Sequence, residues 1–130
     1  MDAVTSPPAP VNEPILDHAP GSVERAELQA QLAALQAQGP IELPNTIHGE
    51  QRPAGGTSFD VVQPHAHAEV LGVGANSTEA DAHAAVVAAR AAAPGWRELS
   101  YDDRAAVLLK AADLLAGPWR ARLNAATMLG

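Results

Sequence analysis

Cysteine is missing altogether from these 130 residues, which excludes disulfides, thiolate catalysis and thiolate metal sites within the chain. Aromatic residues are scarce, at 3%, so few of the large side chains that usually dominate a core are present. Basic residues are few as well: eight Lys and Arg stand against 15 Asp and Glu, a net charge of −7. No basic stripe is offered to nucleic acid or to an anionic membrane surface. No apolar run approaches membrane-spanning length. The opening MDAVTSPPAPVNEP has neither the basic nor the apolar region of a secretory signal. The expected location is the cytoplasm.

What the chain does have is alanine and proline. Apolar content is 47%, but much of it is alanine, which favours helix strongly while burying little surface. The length allows one domain at most, and the first part does not read as globular. Residues 1–21 hold Pro7, Pro8, Pro10, Pro14 and Pro20. Proline removes backbone donors and pushes its neighbours toward extended conformations, so this stretch is expected to be a disordered arm. Ser22 then suits the cap of a helix reaching Gln38, with Leu28, Leu32 and Leu35 on one face and Gly39-Pro40 as its stop.

From Ile41 the period changes. Leu43 to Gly49 suits a short strand, and Arg52–Gly56 a loop. Thr57–Gln63 and Glu69–Val73 form an antiparallel pair turning over Pro64–Ala68. Ser77 or Thr78 caps a second helix lined by Ala80, Ala84, Val87, Ala88 and Ala91, which Pro94-Gly95 is expected to break before Trp96. Ser100 caps a third, with a stripe of Ala105, Leu108, Leu109, Ala112, Leu115 and Ala116. Gly117-Pro118 separates it from a fourth, with Trp119, Leu123 and Ala126 on one side. The fourth helix is still in register at Leu129-Gly130, so the sequence is expected to be a piece of something larger.

Several short motifs invite a chemical reading. Gly72-Val73-Gly74-Ala75-Asn76-Ser77 follows a strand and opens a helix, as dinucleotide fingerprints do. Ser77 stands where a third glycine belongs, and no acid follows about 20 residues later. Two glycines that simply make a turn are the competing reading. His65-Ala66-His67 puts two imidazoles on one face of a strand, with His48 or Glu69 as a third metal ligand. Beside Pro64, an exposed polar turn is the plainer alternative. Asn76-Ser77-Thr78 matches a glycosylation sequon but reads as cap chemistry. Asp102-Asp103 at a helix start suits the helix dipole better than acid–base catalysis.

VVQP at the hairpin, EADAHAAVVAARAA leading to Trp96, DDRAAVLLKAADLL and GPWRARLNAATMLG together resemble the N-terminal portion of aldehyde dehydrogenases. The match runs from about Pro40 to Gly130 and is weakest before Thr57. GPWRARLNAATMLG, with the helix at 22–38, is most similar to the branch oxidising L-glutamate γ-semialdehyde, the Δ1-pyrroline-5-carboxylate dehydrogenases of proline breakdown. The resemblance implies an α/β fold, of which this chain holds an N-terminal helix, an antiparallel strand pair and three further helices. Residues 22–130 would be an incomplete N-terminal part of a cofactor-binding domain.

In that family a cysteine thiolate attacks the aldehyde, a hydride passes to NAD, and a glutamate activates the water that releases the acid. Those groups lie beyond Gly130 in the family pattern. The resemblance therefore carries no catalytic, cofactor-binding or metal residue onto this chain. NAD is the cofactor implied for the complete enzyme, with none expected to bind this chain alone. The implied partner is the remainder of the dehydrogenase, its missing sheet and catalytic domain, in an enzyme expected to be a homo-oligomer. Without that sheet, Leu108, Leu109, Leu115, Trp119 and Leu123 lose their packing and the isolated chain should be inactive and marginal in stability. The alternative expectation is a stand-alone helical interaction module that binds a partner polypeptide or a complementary enzyme fragment.

Overall fold

The computed structural model describes residues 6–130, so the first five residues of the expected arm lie outside the described residues. Residues 6–21 carry neither helix nor strand. Helix α1 spans Val23–Gln38, and the Arg25 amide donates to the Ser22 hydroxyl at 3.3 Å, which makes Ser22 its cap. Gly39, at φ 72°, closes the helix in a backbone region that favours glycine. Leu28, Leu32 and Leu35 are half-buried, and α1 packs on the last helix of the chain.

Five strands follow: β1 (Ile41–Leu43), β2 (Asn45–Ile47), β3 (Glu50–Arg52), β4 (Ser58–Gln63) and β5 (Ala66–Ala75). The expected antiparallel pair is β4–β5, and the structure adds a third strand. β1 lies parallel to β5 on its other edge, in the order β1-β5-β4. The single strand expected over Leu43–Gly49 is instead divided at Pro44, which cannot donate to a ladder. Beyond it, β2 and β3 form a hairpin of their own. His48 and Gly49 turn that hairpin with φ of 56° and 77°, the two positive values that a tight two-residue connection needs. The β4–β5 turn is shorter than the expected Pro64–Ala68. It uses Pro64 and His65 alone, because register shifts after Val61 and Val62 absorb the extra residues of β5.

Three helices complete the chain: α2 (Glu79–Glu98), α3 (Tyr101–Ala116) and α4 (Arg120–Leu129). The expected break at Pro94-Gly95 does not occur, and α2 continues through it to Glu98. Arg90 and Pro94 are both exposed, so the carbonyl that Pro94 leaves without its helical donor can turn to water. Trp96, in the last turn of α2, is 44% exposed. α4 turns a different face inward from the one its bulky residues suggest. Ala121, Ala125 and Leu129, four apart, line the covered side, while Trp119, Leu123 and Ala126 face outward.

Among the described residues, Ala125 (0% exposed) and Leu129 (5%) are the only buried apolar side chains. They sit where α4 meets α1 and the sheet, with Leu71 of β5 close to Gly130. Gly72 and Gly74 are buried within β5. Over them fold Ile41, Leu43 and Phe59, all half-exposed.

Candidate functional site

The densest polar arrangement in the chain is the junction between β5 and α2, where the sequence places its most suggestive motif. Thr78 caps α2. Its hydroxyl oxygen accepts from the Asp81 amide at 3.2 Å, while Asp81 Oδ2 accepts from the Thr78 amide at 2.9 Å and the Thr78 hydroxyl at 2.8 Å. This reciprocal box satisfies donors that a helix start otherwise leaves orphaned. The same Oδ2 accepts from the Gly55 amide at 3.0 Å, and the Arg52 guanidinium lies 4.0 Å from Oδ1. Asp81 thereby ties the loop after β3 to the start of α2. The Gly56 amide donates to the Asn76 carbonyl, the Asn76 amide to the Thr57 carbonyl, and Asn45 Nδ2 to the Ser77 hydroxyl.

The electrostatics follow from these donors. The Thr78 amide, the Gly55 amide and the Thr78 hydroxyl hold the Asp81 carboxyl down at about 2, with the Arg52 charge adding to them. So acidic a group is a poor proton acceptor near neutral pH, and its Oδ2 already accepts three hydrogen bonds. Glu24 is also lowered, by its own backbone amide, by the Ser22 hydroxyl and by His18. That is again cap chemistry.

This geometry decides the fingerprint. Gly72 and Gly74 are inside β5, not in a turn. A Cβ on Gly74 would meet the Phe59 ring at 2.8 Å, and one on Gly72 would meet the Ile41 carbonyl oxygen at 3.0 Å. Both glycines make room for neighbours across the sheet. A pyrophosphate needs free amides at the helix start, and at α2 a carboxylate already occupies that place. The junction does not fit a dinucleotide.

His65 lies in the β4–β5 turn and His67 is the second residue of β5, both exposed. Among the described residues no group of three or more His, Asp or Glu side chains is placed to hold a metal. Asp103 accepts from the Ser100 hydroxyl at 2.7 Å and its amide donates back at 3.1 Å, so it completes a cap. The role of Asp81 was missed in the sequence. Its signal was present as Thr78-x-x-Asp81, a variant of the S/T-x-x-E box with the acid one methylene shorter, but the bond to Gly55 crosses 26 positions and has no local signature.

Comparison with known proteins shows which family the chain resembles. The profile of the aldehyde dehydrogenase family matches residues 51–126. A delta-1-pyrroline-5-carboxylate dehydrogenase from Agaricus bisporus is 44% identical over 119 residues, covering 92% of this chain and 22% of that protein. The crystal structure of the Delta-pyrroline-5-carboxylate dehydrogenase from Mycobacterium tuberculosis, bound with NAD, superposes with a TM-score of 0.93 at 55% identity. The match covers 99% of this chain and 24% of that one. A 1-pyrroline-5-carboxylate dehydrogenase from Thermus, also with bound NAD, gives a TM-score of 0.79 at 29% identity, covering 95% of this chain and 23% of its own. The chain spans between a fifth and a quarter of the length of these relatives. With the family profile matched over residues 51–126 and the fold shared at 55% identity over 99% of the chain, the chain belongs to the aldehyde dehydrogenase family.

Proposed function

We propose that this chain is the N-terminal portion of an NAD-dependent dehydrogenase that oxidises L-glutamate γ-semialdehyde to glutamate in proline breakdown. The observation that carries the reading is the 55% identity and TM-score of 0.93 over 99% of the chain with a pyrroline-5-carboxylate dehydrogenase. Within it, residues 22–130 are an incomplete part of the cofactor-binding domain and residues 1–21 a Pro-rich arm. The chain contributes framework. Its capped helices and glycine-relieved sheet position elements that the rest of the enzyme completes, while NAD, when bound, accepts the hydride elsewhere. The chain has no cysteine to serve as the thiolate, so alone it is inactive.

The complete enzyme is a homo-oligomer in this reading. Its location is the cytoplasm, although relatives from Emericella nidulans and mouse are named as mitochondrial. No helix among the described residues is long and apolar enough to cross a membrane. Fractionating the source cells, with the chain recovered in mitochondria, would contradict the cytoplasmic assignment.

The functional test is a fusion. The chain replaces the matching quarter of the Mycobacterium tuberculosis enzyme, and NAD reduction is measured with L-glutamate γ-semialdehyde. The fusion should retain activity within about tenfold of the parent, a loss of no more than about 1.4 kcal/mol in transition-state stabilisation. A folded fusion without that activity would overturn the reading.

A further inference from the structure

Gln63 closes β4 and is the one buried polar side chain among the described residues, 5% exposed. None of the side-chain hydrogen bonds among those residues engages it. An amide carries two donors and an acceptor oxygen, and a buried one without a partner is uncommon. Gln63 stands in the wall of a cleft of about 620 Å³ between the end of α1 and the β4–β5 turn, a size that suits a small molecule. Leu35 and Val70, both half-buried, give the cleft an apolar side, while Gln36, His65 and Glu69 stand exposed around it.

The chemistry of the lining selects the class of ligand. With histidine neutral, Glu69 is the one formal charge on the cleft wall, and it is negative. The helix α1 brings its C-terminal end here, the negative end of its dipole, and no basic residue stands in its last turn. An anion would therefore meet like charge with no cation to offset it. A protonated amine supplies three donors and needs no acceptor. Its donors match the Gln63 amide oxygen and the Glu69 carboxylate, and a short hydrocarbon body suits the side formed by Leu35 and Val70. We propose that this cleft binds a small organic ammonium ion, a primary amine on a short apolar body, with Gln63 and Glu69 as its polar contacts. The site shares no residue with the Asp81 junction and does not rest on the dehydrogenase reading.

The test titrates n-butylammonium chloride into chain 1–130 and into the fused enzyme, with binding followed on the ligand by NMR. Both proteins should show saturable binding, half-complete at about 1 mM, well inside the ceiling for so small a ligand. Gln63→Leu, close to the native side chain in size, should weaken binding about tenfold. Glu69→Gln, at an exposed position, should weaken it about fivefold, while Glu79→Gln outside the cleft leaves it within twofold. Sodium butyrate, with the opposite charge on a similar body, should not saturate. The inference is overturned if neither protein binds butylammonium, if butyrate binds as well, or if Gln63→Leu and Glu69→Gln leave the affinity unchanged. Binding by the chain that vanishes in the fused enzyme also overturns it, since the rest of the polypeptide then covers the cleft. A fused enzyme that binds the amine yet lacks dehydrogenase activity removes the function and leaves this site standing.

Discussion

Leu129 and Leu108 are the same side chain in two neighbouring helices, yet one is 5% exposed and the other 67%. The difference divides the molecule. Around Leu129, α4 meets α1 and the sheet, so the chain supplies both sides of the contact. Around Leu108, α3 offers an equally apolar surface and the chain supplies nothing opposite it. Helix formation does not separate the two regions, since both helices are regular and α3 has the better cap. Local sequence is enough to build a helix, but only tertiary partners determine whether its face is buried.

The largest expected effect breaks the comparison at its centre. Leu129→Ala should cost about 2–5 kcal/mol, enough to unfold a marginal chain and visible as lost helical circular dichroism. Leu108→Ala, at the same residue type, should change the stability of the isolated chain by less than about 0.5 kcal/mol. Equal losses at the two sites would mean that α3 is covered in solution. Next comes Gly74→Ala, which drives a methyl into the Phe59 ring and should cost about 1–3 kcal/mol by denaturant midpoint. Adding Phe59→Ala should recover part of that loss. Thr78→Ala removes the α2 cap and should cost about 1 kcal/mol.

The smallest effect depends on pH. The folded Asp81 carboxyl lies at about 2, below an ordinary aspartate near 3.9. A group depressed by folding contributes stability fully above its unfolded value. That contribution fades as pH falls through the window from about 4 to about 2. Asp81→Asn should flatten the acid limb of stability in that window and leave the slope between pH 6 and 8 unchanged. A slope altered only near neutrality would assign the effect to another group.

Much of this was legible in the sequence where the determinants are local. Ser22 and Ser100 declared two helix starts and Ser77 or Thr78 a third, which the structure gives to Thr78, and Leu28, Leu32 and Leu35 declared the packing face of α1. The β4–β5 pair could be read from alternation and from Pro64. What escaped depends on contacts distant along the chain. β1 pairs with β5 from far upstream, Ile41 against Gly72, so Ile41 and Glu42 were assigned to no strand and Leu43 only to the start of the one expected over Leu43–Gly49. The glycines of β5 looked like a turn because the Phe59 ring that explains them belongs to another strand. Pro94 looked like a stop because the rule for helix interiors is steric, and here the affected turn is open to water. The inward face of α4 was missed for a simpler reason. Ala121 and Ala125 are small, so Trp119 and Leu123 drew the attention, yet close approach to α1 favours the small side chains.

The most direct measurement is scanning calorimetry of the 130-residue chain by itself. If the chain is framework that the rest of a dehydrogenase completes, it should show a broad, weak transition. Its heat should fall well below the roughly 90 kcal/mol expected for a cooperative domain of this length. A single sharp transition of that size from a monomer, with calorimetric and van't Hoff enthalpies equal, would contradict the account. It would show that the α1–α4 region alone suffices to make a stable domain.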